Sequence, residues 1–208
     1  MRDAGIGRVL VAAMHQGIAD ELPDRLEFYE NWLNPEGLRN GTIGLAPLAA
    51  VLSFLRTEGP AYEAVTRRAG RYAGGWTVDE LSPLRRRLIG ARPRVFRQSA
   101  AMRVACDFVH QTYTGSRATF RVRRGVGTLS IRSSIFCCVR DRTSHPLCYF
   151  YASAIASVLS GLDVEADASV VECQAEGHPA CRIAVRMGRA LAEPADGEGR
   201  TLPGAPAA

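Results

Sequence analysis

A change of period at Gly115 constrains this chain more than any other feature. Before it, apolar residues recur at helical spacing; after it, they alternate. Helical stripes run through Ile6, Val9, Leu10, Ala13, Met14, Gly17, Ile18 and Leu22, then through Leu26, Phe28, Tyr29 and Trp32. A third helix starts near Leu45 and presents Leu48, Val51, Leu52 and Leu55, with Pro47 tolerated in its first turn. Further helices are predicted over 61–72, ending at Gly74-Gly75 where a left-handed cap is easy, then over 79–89 and 93–113. Beyond Gly115, 118–123 and 128–132 alternate around the turn Arg124-Gly125-Val126-Gly127, which predicts a hairpin whose polar face carries arginines. A third strand over 135–140, a helix from Cys148 to Leu162, and strands over 168–173 and 181–185 complete the pattern. Helices followed by hairpin-type strands define an α+β chain. The expected architecture is an antiparallel sheet of about four to five strands packed against helices. Residues 1–38 are read as an N-terminal helical extension, 39–188 as the main domain, and the Pro- and Gly-rich stretch 189–208 as a disordered tail.

Composition narrows the function classes. No run reaches the length of a membrane span, and the start combines acidic residues with an amphipathic period, not the apolar core of a signal peptide. Six cysteines in a chain with no secretion signal predict reduced thiols and a cytoplasmic location. The net charge is +5, with every basic side chain an arginine and no lysine. The arginine clusters at 85–87, 92–97 and 121–124 lack interleaved aromatics, so a solvated face is expected and nucleic acid is not a predicted partner. No catalytic set can be assembled. Gly5-Ile6-Gly7 and Gly125-Val126-Gly127 lack the third glycine of a dinucleotide fingerprint.

The cysteines carry the sharpest signal. Cys148 opens a helix, and Cys173 and Cys181 bracket a turn built on Gly177, His178 and Pro179. Such thiols can converge, and zinc is the default tetrahedral metal for soft thiolates. Buried free thiols acting as small apolar residues are the competing reading. For Cys137, Cys138 and Cys106, binding, reacting and packing all remain open.

The pieces Ser134-Ile135-Phe136, Pro146-Leu147-Cys148-Tyr149 and Cys173-Gln174-Ala175-Glu176-Gly177-His178-Pro179-Ala180-Cys181-Arg182-Ile183 stand in an order that resembles the 4-vinyl reductase, or hydrocarbon-binding, domain family. The resemblance covers about 50 residues closely. It implies a fold akin to the small TRAPP subunits and to NO-signalling-type domains, with relatives among phenol- and xylene-sensing input domains and in bacteriochlorophyll synthesis. It also implies a zinc site of three cysteines and a glutamate three residues before the middle one, a position held here by Val170. Cys148, Cys173 and Cys181 carry over, with Glu172, His145 or His178 as candidates for the fourth ligand. The implied function is binding of a small hydrophobic ligand (aromatic, lipid-like or tetrapyrrole) as a sensor or carrier. Candidate pocket residues are Phe96, Val104, Phe108, His110, Phe120, Phe136, Tyr149, Tyr151 and Trp76. A homodimer built through the N-terminal helix and a separate signalling or biosynthetic partner are expected. A vinyl reductase or its accessory protein, and a TRAPP-like interaction module without ligand, are the alternatives.

Overall fold

The computed structural model describes residues 5–33, 44–138 and 142–188. The turn expected at 34–37, the boundary near 38 and the tail at 189–208 lie outside them. Seven α-helices are described: α1 Arg8–Glu21, α2 Leu26–Leu33, α3 Leu45–Thr57, α4 Pro60–Asp79, α5 Pro83–Gly90, α6 Arg94–Thr112 and α7 Tyr149–Ser160. The strands are β1 Arg117–Arg123, β2 Val126–Arg132, β3 Ala166–Glu172 and β4 Cys181–Met187. They form one antiparallel sheet of four strands in the order β1-β2-β4-β3. This is the α+β architecture that the change of period predicts.

Alternation in the strands sorts side chains by face. Phe120, Leu129, Ile183 and Val170 form one cross-strand row of the inner face, and Ala118, Ile131 and Cys181 form another. These rows pack under α6 and α7. The apolar stripe of α1 is buried within the same chain: Leu10, Val11, Met14 and Ile18 are essentially inaccessible. Asp20 ties the end of α1 to α4 through Arg68 at 2.6 Å and the Tyr72 hydroxyl at 2.7 Å.

Three expectations fail locally, each for a physical reason. Gly74-Gly75 does not end a helix; α4 runs on to Asp79. A Cβ on Gly70 would run into the Phe150 carbonyl, and one on Gly74 would sit 2.5 Å from the Ala154 carbonyl. The glycines let α4 and α7 approach at backbone distance, opposite Ser153, Ala154 and Ser157. The strand expected over 135–140 is instead a 3-10 turn at Ile135–Cys137, with 139–141 outside the described residues. Ser133 takes a positive φ of 56° and breaks the run, and the edge of β2 that this segment would need is already occupied by β4. The helix expected over 79–89 starts later. Ser82 caps α5 by accepting the Arg85 N–H, with Pro83 in the first turn.

Candidate metal centre

Four elements bring four sulfurs together. Cys137 ends the 3-10 turn after β2, Cys148 is the N-cap of α7, Cys173 follows β3 and Cys181 starts β4. The Cys173–Cys181 connection folds back as a 3-10 turn closed by Gly177 at φ 99°, a left-handed conformation suited to glycine. The His178 N–H then returns to the Cys173 carbonyl.

The sulfurs lie at the corners of a compact, uneven tetrahedron. Cys137 Sγ is 3.3 Å from Cys148, 3.3 Å from Cys173 and 3.4 Å from Cys181. The remaining edges are 3.2 Å for Cys148–Cys181, 3.9 Å for Cys148–Cys173 and 4.0 Å for Cys173–Cys181. A zinc ion with Zn–S bonds of ~2.3 Å needs sulfur edges of ~3.8 Å. Two edges match that value and four are about 0.4–0.6 Å shorter, so the four thiols could hold a tetrahedral thiophilic ion once they spread slightly. Donors point at the cluster as they do at thiolates. The N–H groups of Leu147 and Gln174 reach Cys173 and Cys181 at 3.3 and 3.4 Å, and the Ser134 hydroxyl is 3.2 Å from Cys148. Tyr62, buried on α4, donates to the Leu147 carbonyl at 2.8 Å and steadies the segment leading into Cys148. Arg56 donates to the carbonyl of Phe136, the residue before Cys137, at 3.1 Å.

The thiols do not ionise independently. Hydrogen bonds from the neighbouring thiols, Cys137 first, hold Cys173 well below the ordinary thiol range. Cys137 is also lowered, chiefly by Cys148. Burial pushes Cys148 far up, and the contact with Cys137 raises Cys181. Only a cation among them would let all four ionise together in this volume.

Cys148, Cys173 and Cys181 thus come together, and the fourth corner is Cys137, a residue the sequence reading left without a role. The carboxylate of Glu172 is paired with Arg182 at 2.8 Å. His145 and His178 are exposed and stand outside the cluster. Cys138, next to Cys137, turns away and donates to the Ser134 carbonyl at 3.4 Å. Cys106 donates to the Ala118 carbonyl, a packing role.

The residues expected to line a pocket divide into three groups. Phe108, Phe136 and Tyr151 are buried and, with Phe150, form an aromatic cage; Phe136 stacks on Phe150 at 4.9 Å and meets Tyr151 edge-on at 5.3 Å. Val104 is buried on α6. The Tyr151 hydroxyl is buried with no hydrogen-bond partner among the described residues. Trp76, Tyr149 and Phe120 are half-buried; Trp76 stacks on Tyr72, while Arg67 and Arg103 lie over Tyr149 and Phe120. Phe96 is 64% exposed and His110 is exposed, its Nε2 accepting the Ala118 N–H at 2.9 Å. Both lie outside the cage, because Phe96 sits on the outward side of the first turn of α6 and His110 caps the start of β1.

No protein-family model matches the chain, and no curated protein matches it by sequence. Solved structures do match in fold. The phenol-responsive sensory domain of the transcription activator PoxR, with phenol, aligns at 18% identity and TM-score 0.50 over 69% of this chain and 74% of that one. A trafficking protein particle complex subunit 3 from Naegleria fowleri, covalently bound to palmitic acid, aligns at 15% identity and TM-score 0.50 over 69% and 95%. An H-NOX protein from K. algicida aligns at 9% identity and TM-score 0.52 over 89% and 98%. At these identities the likeness is one of fold. No helix among the described residues is long and apolar enough to cross a membrane.

Proposed function

We propose that this chain is a binding module for a small apolar ligand, organised around a structural zinc centre. The observation that carries the reading is the sulfur tetrahedron joined directly to the aromatic cage. Phe136 precedes Cys137, and Tyr149, Phe150 and Tyr151 follow Cys148. A metal held by four thiolates leaves no open coordination position, so it supplies rigidity and not bond-making chemistry. Its work is to pin the 3-10 turn, the start of α7 and the β3–β4 loop to one point. The rings of Phe108, Phe136 and Phe150 pack on one another, so a phenol-sized ligand would enter by displacing them, and its polar end would satisfy the Tyr151 hydroxyl. Entry of such a ligand displaces side chains adjacent to two zinc-bearing segments, which gives a sensor or carrier a route to report occupancy. Four free thiols at mutual contact also favour a reducing compartment, in keeping with a cytoplasmic location.

The test is elemental analysis and a visible spectrum on one freshly purified sample, beside a Cys173→Ser variant, followed by calorimetric titration with phenol and with palmitate. About one zinc per chain, lost in the variant, supports the centre. Absence of metal refutes it. A ligand heat that disappears in Tyr151→Phe supports the cage. A visible band would move the reading to a tetrapyrrole carrier of bacteriochlorophyll synthesis, and no ligand at all to a TRAPP-like interaction module.

A further inference from the structure

The outer face of the sheet is a second feature, independent of the metal and the cage. Its cross-strand rows are read directly from the register. Thr119, Ser130, Arg182 and Glu172 form one row; Arg121, Thr128, Ala184 and Ser169 the next; Arg123, Val126, Arg186 and Asp167 the last. Arg117 opposes Arg132 at one end. Six arginines and two carboxylates therefore share this face, a surplus of four positive charges in a chain whose formal net charge is +5. Elsewhere some arginines are paired, as Arg85 is with Asp107, Arg86 with Asp79, Arg67 with Glu63 and Arg68 with Asp20, while others such as Arg71, Arg87 and Arg94 form no ion pair with a described residue. On the sheet face Arg182 is paired with Glu172, while Arg117, Arg121, Arg123, Arg132 and Arg186 form no ion pair with a described residue.

Shape adds to charge. The central strand of this region, β2, presents short side chains outward at Val126, Thr128 and Ser130 before ending at Arg132, while the strands on either side present Arg121 and Arg123, and Arg182 and Arg186. The result is a trough of about 480 Å³ floored by β2, with Arg121 and Arg123 along one wall and Arg182 on the other. Its walls stand two strand spacings apart, about 10 Å. That is the diameter of an α-helix with its side chains, about 10–12 Å. We infer that the outer sheet face docks an acidic α-helix of a partner protein, lying along β2 with carboxylate stripes against both arginine rows and small residues on the floor. Such a helix would convert a two-layer fold into a three-layer one, covering a sheet face that otherwise remains open. A base-stacking nucleic-acid site is disfavoured because the face carries no outward aromatic side chain. A bilayer would meet the arginine tips and leave the floor of the trough unfilled.

The test uses the full chain and three labelled peptides of about 18 residues, long enough for about 27 Å of helix. One is an Ala/Glu helix with glutamates on two flanking stripes. The second has the same composition broken by a central proline, and the third replaces glutamate by glutamine. Fluorescence anisotropy at about 0.15 M salt, where exposed charge is screened beyond about 8 Å, is run beside anionic phospholipid vesicles and duplex DNA. The acidic helix should bind at least ~10-fold tighter than either control peptide, as expected when several exposed charge pairs are lost together. Arg121→Glu/Arg123→Glu should abolish that binding, with unchanged metal content and melting because both side chains point outward. A lysine-for-glutamate helix should then bind the charge-reversed variant. Equal binding of the intact and proline-broken peptides, an unaffected double variant, tighter binding to vesicles or DNA, or no peptide binding would each overturn the proposal.

Discussion

At the scale of single residues, the neighbours of Cys137 and Tyr151 set the sharpest expectations. Cys137 is the least buried corner of the tetrahedron, yet it contacts all three other sulfurs. Cys137→Ser should lower zinc affinity by at least ~10-fold, the lower bound seen even for outer-sphere partners. Cys138→Ser, one residue away, should leave the metal content unchanged. A zinc competition assay on the two variants checks both. Glu172→Gln should also leave the metal in place and cost no more than ~0.5 kcal/mol of stability, since the Arg182 pair is partly exposed. Acid should release the metal from the wild-type chain, because thiolate ligands must be deprotonated to bind.

Elements meet most closely where α4 crosses α7, and glycines there separate two kinds of substitution. Gly74→Ala forces a Cβ against the Ala154 carbonyl and the Ser157 side chain, and should destabilise by roughly 1–3 kcal/mol. Gly75→Ala meets nothing within 4 Å and should stabilise by about 0.5–1 kcal/mol through helix propensity. Urea denaturation of the two variants distinguishes close approach from propensity. The α1–α4 contact has its own pH signature. Hydrogen bonds from Tyr72, then Arg68, hold Asp20 down at about 2 from an ordinary value of 3.8. A lowered folded-state pKa means the contribution is complete above about pH 4 and is lost as pH falls through about 2. Asp20→Asn should remove that acid dependence while leaving the α4–α7 contact intact, as an acid titration of thermal melting would show.

For the molecule as a whole, a metal held by the four cysteines would act as a ligand of the folded state. Zinc present at about 100 times its dissociation constant would add about 2.7 kcal/mol, so a strong chelator should lower the melting temperature by roughly 5–10 °C in a chain of this size. Calorimetry with and without chelator checks this. How the parts close on one another also shows what was legible beforehand. Local pattern was enough for the α+β class and for the buried stripes of α1 and α3, because spacing along an element dictates which side chains share a face; Cys148, Cys173 and Cys181 were singled out by the order of motifs on which the family resemblance rests. It misplaced the end of α4, since a glycine pair means a cap or a close approach depending on what lies opposite. Cys137 was missed for a related reason. Its segment reads as a strand, and only the insertion of β4 between β2 and β3 denies it a sheet edge and turns it back toward Cys148. The trough on the outer face has the same origin, because it exists only once β1 and β4 flank β2. Periodicity and ligand type are written along the chain; which strand takes which edge, and so which side chains meet, is settled by the packing of segments far apart in sequence.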